Sequence, residues 1–395
     1  MKHFNKLIFL ILTALLLAPA TAINAQVFVD TTWHDNGQFT KAIYECKIVN
    51  GETIRHGFFK YYYPDGGLRQ YGFYKNNKFD SLWSFYSRHG IRYKIENYND
   101  GLRDGTFAVY FQNGDLKQSG SYKNDKLHGE IVTYFENGFL SERVNYKTGM
   151  KDGLAVGNYE NGNPYFKFEF ENDKHAGLYE MYYETGILKE KGAKNGNHFD
   201  GQYFLYREDG SIEKKIFYQQ DKIIGDYFTY HPNGEVKNHC FYVDGNMEGF
   251  WNEYYDTGIL RESGSYSKGV KTGIGKFYYP DGSLYIIGKF RNNLYHEKWK
   301  VYHRNGNMKQ IGRYKKGKAE RKWKYFHSNG NISKAGKYKH DVEEGVWLYF
   351  YENGKLKGKL KYKNGKLNGC SKEYSEDGKL INKKFFKNGV AVEPD

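Results

Sequence analysis

The chain reads GFFKYYYPDGGLRQYGFYKNNKFD at residues 57–80 and GIGKFYYPDGSLYIIGKFRNNLYH at residues 273–296. The two segments keep their glycine, aromatic and asparagine positions in step. The glycine at 66 recurs every 24 residues without a slip in fourteen copies: Gly66, Gly90, Gly114, Gly138, Gly162, Gly186, Gly210, Gly234, Gly258, Gly282, Gly306, Gly330, Gly354 and Gly378. A fixed period of this length indicates a repeat protein, whose architecture follows from one unit.

Two sets of turn residues divide each repeat. We call residues spaced 24 apart a column and name it by its member in 57–80. The residue before each glycine of the Gly66 column is Asn in seven repeats, Asp in four, Thr in two and His in one. The Asn77 column holds only Gly, Asn or Asp. These residue types suit tight turns, several of which need a left-handed backbone, so each repeat contains two reversals and two short strands.

The segments between these turns have the composition of strands. The Tyr62 and Tyr74 columns are aromatic in thirteen of fourteen repeats, and the Leu68 column is aliphatic in twelve. Short runs rich in Tyr, Phe, Trp and Val between Gly, Asn and Asp turns are typical of strands. The sequence therefore predicts an all-β fold, an elongated repeat array of antiparallel β-hairpins in a single-sheet meander or solenoid of about 28 strands.

The motif aromatic-x-x-[Asn/Asp]-Gly-x-[Leu/Ile] with its second glycine resembles the MORN repeat, in the bacterial variant of proteins labelled YwqK-type antitoxins. The resemblance covers residues 51–391 and implies an elongated antiparallel β-meander for binding or scaffolding, with protein, lipid or membrane partners and no catalytic residues. The Gly57 column keeps glycine in eleven repeats and has Ser81, Glu297 and Arg321 in the others. We expect those three hairpins to twist differently.

The first 25 residues predict a secretory signal peptide. Lys2 and Lys6 precede the apolar run 7–17, which is too short to span a bilayer. Small residues follow, and we expect cleavage after Ala25, with Ala22 as the second choice. The mature protein should lack a transmembrane segment and be exported, as a periplasmic, cell-surface-associated or secreted protein.

The mature chain divides into a cap and an array. Residues 26–50 are interpreted as a degenerate N-terminal capping unit, because Asn36-Gly37 precedes Gly66 by 29 residues rather than 24. Residues 51–391 form about fourteen repeats in one array, whose last part, 291–395, is basic.

The three cysteines are predicted to be free thiols. Cys46, Cys240 and Cys370 are several repeats apart, and at roughly 10 Å per repeat they lie on the order of 50 Å or more from one another. A disulfide requires Cα atoms within about 7 Å.

Positive charge is concentrated at the C-terminal end. Residues 291–395 contain 26 Lys and Arg against 11 Asp and Glu, a net of +15, whereas residues 26–290 carry −3. Segregated charge along a repeat array either marks a localised anionic partner or is an ordinary solvated face that deters edge pairing.

The face of each column depends on the first loop. A four-residue loop at 63–66 pairs position 61 with 68 and groups the tryptophans, the Leu68, Gly72 and Tyr74 columns on a packing face, leaving Lys309 and Arg313 with the Tyr62 column on the other. A three-residue loop at 64–66 sets Tyr62 opposite Leu68. We favour the first register because it places residues of similar type on the same face of the sheet. The candidate binding surface on the second face is then Lys298, Lys300, Tyr302, Lys322, Lys324, Phe326, Lys355, Lys357, Lys359, Lys361 and Lys363.

Motifs of catalysis are missing from the sequence. It contains no phosphate loop, HExxH, CxxC or Gly-x-Ser-x-Gly. His231, His303 and His327 share a column, but neighbours in a column lie about 10 Å apart, and zinc to nitrogen bonds are about 2.0 Å, so side chains in register could converge on a zinc ion only with difficulty. We predict no enzyme activity, no cofactor and no metal.

Three functional classes remain. We expect an exported scaffold that binds protein partners. The first alternative is an envelope-binding module that recognises anionic lipid or polysaccharide through the basic aromatic repeats. The second is an antitoxin-like component, which fits poorly with export. Nucleic acid is not expected as a partner of an exported chain.

Overall fold

The computed structural model describes residues 26–35 and 37–393, in which it contains 35 strands and no helix. The all-β prediction is therefore confirmed. The predicted signal peptide and Asn36 of the capping unit lie outside the described residues. Across 26–35 and 37–393, no helix has the length and apolarity needed to cross a membrane.

The chain forms two compact units, one up to His128 and one from Gly129. The first unit is a run of antiparallel hairpins. Its strands are β1 (Val27–Trp33), β2 (Thr40–Val49), β3 (Glu52–Tyr62), β4 (Leu68–Lys75), β5 (Lys78–Tyr86), β6 (Arg92–Asn99), β7 (Leu102–Tyr110), β8 (Leu116–Lys123) and β9 (Lys126–Leu127).

The second unit repeats the same antiparallel hairpin. Its strands are β10 (Gly129–Tyr134), β11 (Leu140–Lys147), β12 (Met150–Asn158), β13 (Pro164–Glu171), β14 (Lys174–Tyr182), β15 (Leu188–Asn195), β16 (His198–Phe199), β17 (Gly201–Tyr206), β18 (Ile212–Gln219), β19 (Lys222–Ile223), β20 (Gly225–Tyr230), β21 (Val236–Val243), β22 (Asn246–Tyr254), β23 (Leu260–Ser267), β24 (Val270–Tyr278), β25 (Leu284–Arg291), β26 (Leu294–Tyr302), β27 (Met308–Lys315), β28 (Lys318–Phe326), β29 (Ile332–Lys339), β30 (Val342–Phe350), β31 (Leu356–Lys363), β32 (Lys366–Leu367), β33 (Gly369–Tyr374), β34 (Leu380–Lys387) and β35 (Val390–Val392).

The first turn of the repeat has a three-residue loop. Gly66 N–H donates to the Tyr63 carbonyl at 2.9 Å, and Tyr63 N–H donates to the Gly67 carbonyl at 2.8 Å. Gly66 has a φ of +86°, the left-handed conformation of the third residue in such a loop. Tyr62 therefore pairs with Leu68, and the expected four-residue loop is wrong.

The second turn is a two-residue loop with a left-handed backbone at both positions. Asn76 and Asn77 have φ of +52° and +64°, and Lys75 pairs with Lys78 across them. This is a type I′ turn, whose twist matches that of the strands. Asn77 also accepts a hydrogen bond from the N–H of Arg55 at 2.7 Å, and its own N–H donates to the Arg55 carbonyl at 2.9 Å. The turn thereby ties its repeat to the preceding one.

The seven Asn and Asp residues of this column all make the same side-chain contact with the preceding repeat. They are Asn77, Asp125, Asp173, Asn197, Asp221, Asn293 and Asp341. Where the column has glycine, only the main-chain hydrogen bond remains, as between Gly101 N–H and the Phe79 carbonyl.

Each repeat also contains two bulges. After the first turn, Tyr62 pairs with Leu68 but Tyr61 pairs with Gln70, so Arg69 is an extra residue. At the Gly57 column two extra residues bulge from the strand, as where Tyr71 pairs with Ser84 and Phe73 with Asp80. This second bulge divides four strands, and β1, β2 and β35 lie outside the repeated hairpins, which is why the structure has 35 strands rather than about 28.

The bulges determine the two faces of the sheet. Phe59 pairs with Gly72 and lies against Trp83, with ring centroids 5.8 Å apart. We call this the tryptophan face; it holds the columns of Phe59, Tyr61, Gly72 and Tyr74. The opposite face, called the lysine face, holds the columns of Phe58, Lys60, Tyr62, Leu68, Tyr71 and Phe73. The expected place of the Leu68 column on the packing face is therefore wrong, because the extra residue 69 moves it opposite Tyr62.

The tryptophan face contains the core. The exposed fraction is 0% for Trp83 and Trp347, 2% for Trp323 and 5% for Trp299. Trp83 stacks on Phe79 with ring centroids 4.0 Å apart and donates from Nε1 to the Phe73 carbonyl at 3.0 Å. The predicted packing of the tryptophans with the Gly72 and Tyr74 columns is confirmed.

Candidate binding surfaces

Most of the candidate residues share the lysine face. Register places these eight there: Lys298, Lys300, Tyr302, Lys322, Lys324, Phe326, Lys359 and Lys361. Lys298, Lys300 and Tyr302 line one shallow cavity of about 300 Å³. Lys355 lies in a first turn and Lys363 beside a second turn.

Two lysines lie on the face opposite to the expected one. Phe350 pairs with Leu356 and Tyr349 with Gly358, so Lys357 is the extra residue of a bulge. Its Nζ lies 5.2 Å from the ring centroid of Tyr351, on the tryptophan face. Lys309 occupies the same bulge position. Simple alternation was therefore wrong for Lys309 and Lys357, because the bulge adds one residue to the strand.

A groove on the tryptophan face crosses consecutive repeats near the first turns. It encloses about 680 Å³, within the size range of ligand-binding clefts. Most of the lining comes from four columns, represented by Tyr325 and Tyr349, by His303, His327 and Tyr351, by Lys309, Ser333, Lys357 and Ile381, and by Lys334 and Gly358. The Tyr62 column also borders the groove, through Phe326, Phe350 and Tyr374, and so does Leu360. The sequence analysis missed this groove because it depends on the bulge that turns residue 69 toward the tryptophan face.

The groove combines neutral aromatic rings with cations. Tyr325 and Tyr349 hydroxyls lie 3.3 and 3.4 Å from those of Tyr338 and Tyr362. Burial, followed by these hydrogen bonds, raises the pKa of Tyr325 and of Tyr349, so both phenols stay protonated at neutral pH. Lys334 Nζ lies 4.4 Å from the Tyr325 ring centroid. An occupant would meet aromatic surface with positive charge beside it.

The histidine column has a structural role. Nε2 of His231 lies 2.9 Å from the Tyr254 carbonyl, and Nε2 of His303 lies 3.1 Å from the Phe326 carbonyl. Tyrosines of the same column donate equivalent hydrogen bonds, such as Tyr63 Oη to the Tyr86 carbonyl at 2.9 Å. Where this column holds His, Tyr or Arg, its side chain joins the first turn to the next repeat.

The lysine face carries a row of cations across neighbouring strands. Lys359 pairs with Lys372, which pairs with Lys383. Within the part of the chain that the structure describes, none of these three lysines forms an ion pair. Like charges directly opposite one another on a sheet are destabilising. An anionic surface laid against this face would relieve that repulsion.

The solved structures that match this chain are very distant from it. Those of the TcdB2-TccC3-Cdc42 complex and of TcdB2-TccC3 match at 10% identity with TM-scores of 0.15 and 0.17. The Photorhabdus luminescens Tc holotoxin pore with the TccC3 D651A mutation also matches at 10% identity, with a TM-score of 0.15. The matches cover 91%, 92% and 90% of this chain but only 22%, 24% and 24% of those chains. A search of curated proteins gives no match.

The profile of the MORN repeat variant matches the sequence eight times, on both sides of the unit boundary. The matched segments are 55–76, 103–124, 127–148, 224–244, 271–292, 298–316, 343–364 and 367–388. Each matched segment includes a first turn, and in the structure these turns belong to hairpins that recur every 24 residues. The chain therefore belongs to the MORN repeat variant family.

Proposed function

We propose that this protein is an exported, non-enzymatic scaffold whose C-terminal repeats bind an extended segment of a partner protein in the groove of the tryptophan face. The observation that carries the proposal is the groove itself. It encloses about 680 Å³, and its aromatic lining continues from one repeat to the next. Repeat arrays characteristically bind through such extended surfaces.

The charges of the groove select an acidic partner segment. Lys309, Lys334 and Lys357 line it, against one carboxylate, Glu373. An extended peptide with carboxylates between apolar side chains would pack on the tyrosines and pair with these lysines. Such pairs improve specificity and the rate of association more than they improve affinity.

Two residues of β29 that lie on opposite faces provide the test. Ser333 lines the groove, whereas Ala335, two residues later, pairs with Lys324 on the lysine face. A photo-crosslinking amino acid at 333 should capture a partner in the native envelope, and the same amino acid at 335 should not. Equal capture from both positions, or capture from 335 alone, would contradict binding in the groove.

A charge reversal tests the same idea with the identified partner. Lys357→Glu should weaken binding about tenfold or more, since it replaces an attraction by a repulsion. The matched control is Lys359→Glu, two residues away on the lysine face, which should leave binding unchanged. The proposal fails if both variants lose affinity equally.

Export is a separate part of the proposal. It is supported by the basic, apolar and small-residue order of residues 1–25. Mass spectrometry of the protein recovered from its native cells should give a mature chain that begins at Gln26. An N-terminus that still includes residues 1–25 would contradict it.

The lysine face favours a second candidate function, binding to anionic lipid or polysaccharide. The supporting observation is the row Lys359, Lys372 and Lys383 without paired carboxylates. Lysines near an anionic membrane contribute about 1 kcal/mol each. Co-sedimentation with phosphatidylglycerol vesicles at low salt should therefore be lost in the double variant Lys359→Glu, Lys361→Glu and kept in Lys357→Glu. The opposite result would assign the vesicle binding to the groove.

A further inference from the structure

The second bulge of the repeat holds an unusual residue at Arg321. Arg321 has a φ of +64° in a column that is glycine in eleven repeats. A left-handed conformation is unfavourable for a non-glycine residue, because Cβ crowds the carbonyl oxygen. Glycine would remove this cost. Strain kept at a position where a better residue is available points to a function for the side chain.

The side chain at this column lies beside the residue eight positions earlier. A Cβ built on Gly105 would lie 3.0 Å from Asn97 Cβ, and one built on Gly369 would lie 2.9 Å from Lys361 Cδ. The corresponding neighbour of Arg321 is Arg313. The bulge therefore places two arginines side by side.

The adjacent repeat shows what a compensated pair looks like. There the same column holds Glu297, also left-handed with a φ of +57°. Its Oε1 lies 3.2 Å from Nζ of Lys289, the residue eight positions earlier. Glu297 thus neutralises its neighbour, whereas Arg321 adds a second positive charge to Arg313.

Two lysines complete a cationic cluster around these arginines. Arg313, Arg321, Lys322 and Lys337 line one cavity of about 410 Å³. Lys322 pairs directly with Lys337, which is a repulsive cross-strand contact. Arg313 and Arg321 also border a neighbouring cleft with Glu297 and Glu320.

Those two carboxylates are engaged elsewhere. Glu297 pairs with Lys289, and Glu320 Oε1 lies 3.5 Å from Nε2 of His340 and accepts from the His340 N–H at 3.2 Å. Among the described residues, no ion pair joins any of the four cations of the cluster to a carboxylate.

Other repeats show a carboxylate bound at the equivalent bulge. Leu178 N–H donates to Glu169 Oε2 at 2.8 Å, and Phe58 N–H donates to Glu45 Oε2 at 3.2 Å. In both cases the carboxylate belongs to the strand before the bulge, and the amide follows the left-handed residue. The amide at the same place beside Arg321 is that of Lys322, and the preceding strand offers Arg313 instead of a carboxylate. A main-chain bulge of this kind accommodates an oxyanion.

We propose that the bulge of β28 is a site for a small phosphoryl-type polyanion, held by Arg313, Arg321, Lys322 and Lys337. Four cations in one cavity exceed the charge of a single carboxylate and match that of a diphosphoryl group. Arginine provides the paired donors that phosphate oxygens accept. The site is independent of the groove and of its protein partner.

In the test, the binding of inorganic pyrophosphate to the full-length protein is measured by calorimetry at low ionic strength. Arg321→Gly restores the glycine of the other repeats, so the variant should fold and melt at a higher temperature than the parent. It should nevertheless bind pyrophosphate about tenfold or more weakly, the loss expected for one charge-assisted hydrogen bond. The matched control is Ser81→Gly, which relieves the same strain (φ +59°) ten repeats earlier in the sequence and should bind like the parent.

The outcomes separate the alternatives. Absence of pyrophosphate binding by the parent protein, or binding by Arg321→Gly within twofold of the parent, would overturn the proposal. A lipid source is distinguished from a soluble one by phosphatidylglycerol vesicles. If vesicles displace pyrophosphate and bind more weakly to Arg321→Gly, the phosphoryl group belongs to a lipid. If vesicle binding depends only on Lys359 and Lys361, the site takes a soluble anion.

Discussion

Replacing Gly336 with alanine would place a methyl group against the ring of Trp347. The added Cβ would lie 2.0 Å from Trp347 Cδ2 and 2.2 Å from Cε2, far inside contact distance. Trp347 is completely buried, so the ring cannot move aside without displacing its neighbours. Overpacking of this kind costs about 1–3 kcal/mol, and we expect the upper end of that range.

The unfolded chain reduces the net effect. Alanine restricts the unfolded state relative to glycine, which returns about 0.4–1 kcal/mol of stability. We therefore expect Gly336→Ala to lower the free energy of unfolding by about 2 kcal/mol. The loss should be measured by urea unfolding, together with hydrogen exchange of β29 and β30, because repeats can open locally.

The same column contains a matched control. Gly264 has glycine rather than tryptophan eleven residues later, and a Cβ built on it meets only Lys271 Cε, at 3.5 Å. Gly264→Ala should therefore be neutral or stabilising by a few tenths of a kcal/mol. If the two alanine variants unfold at the same urea concentration, the glycine is not required by the tryptophan and the packing argument is refuted.

Three further predictions concern the turns and the thiols. Asn293→Gly should lower the free energy of unfolding by about 1 kcal/mol, because the side-chain hydrogen bond is lost. Asn293→Ala should lower it by about 1 kcal/mol more, because residue 293 has a φ of +63°; urea unfolding measures both. Burial raises the pKa of Cys240 to about 11 and raises that of Cys46, so a thiol reagent at pH 8 should label Cys370 first and all three only after non-reducing denaturation. Hydrogen bonds from an imidazole and from a main-chain N–H lower the pKa of Asp221 in the folded protein. The stabilisation of the fold by this carboxylate is present above about pH 4 and is lost as the pH falls through the lower folded pKa. The melting temperature of Asp221→Asn should therefore depend less on pH in that range than the melting temperature of the parent.

The positions of the turns could be predicted from the sequence because each depends on local backbone chemistry. Gly66 needs a left-handed φ, and the Asn77 column accepts only residues that tolerate one. The period then places every hairpin without knowledge of long-range contacts. The free state of the three cysteines also followed from the period, and the structure confirms it.

Strand register was the part that local chemistry did not determine. Grouping similar residues favoured a four-residue loop, but Gly66 occupies the third position of a shorter one. The resulting bulge at residue 69 then compensates for the shift, so the tryptophan face was still predicted correctly. The Leu68 column, Lys309 and Lys357 were the residues placed on the wrong face, since the Leu68 column lies next to the bulge and the two lysines are its extra residues.

The second bulge could have been inferred from glycine alone. The Gly57 column is glycine in eleven repeats, yet it lies inside a strand, where glycine is unfavourable unless a bulge requires it. The same reasoning marks Ser81, Glu297 and Arg321 as strained residues. The sequence analysis noted these departures, but it could not show that Arg321 lies beside Arg313.

Volume is balanced across each hairpin of the tryptophan face. Gly288, Gly312 and Gly336 each lie under a tryptophan eleven residues later, whereas Leu360 in the same column is followed by Ser371. A larger residue on one strand thus accompanies a smaller one on the next, as close packing requires. These framework pairs lie on the tryptophan face, and the ties between repeats use main-chain groups and the turn columns.

On the lysine face the Tyr62 and Leu68 columns keep their residue types, whereas its other columns are free of these constraints. Their residues can change charge from repeat to repeat without altering the period, the turns or the tryptophan packing. Part of the positive charge of residues 291–395 lies there, as at Lys322, Lys359 and Lys372, despite the repulsion between opposed lysines. Because neutral side chains would satisfy the same framework at lower cost, the charge itself is the property that requires an explanation, and an anionic ligand on the lysine face supplies one.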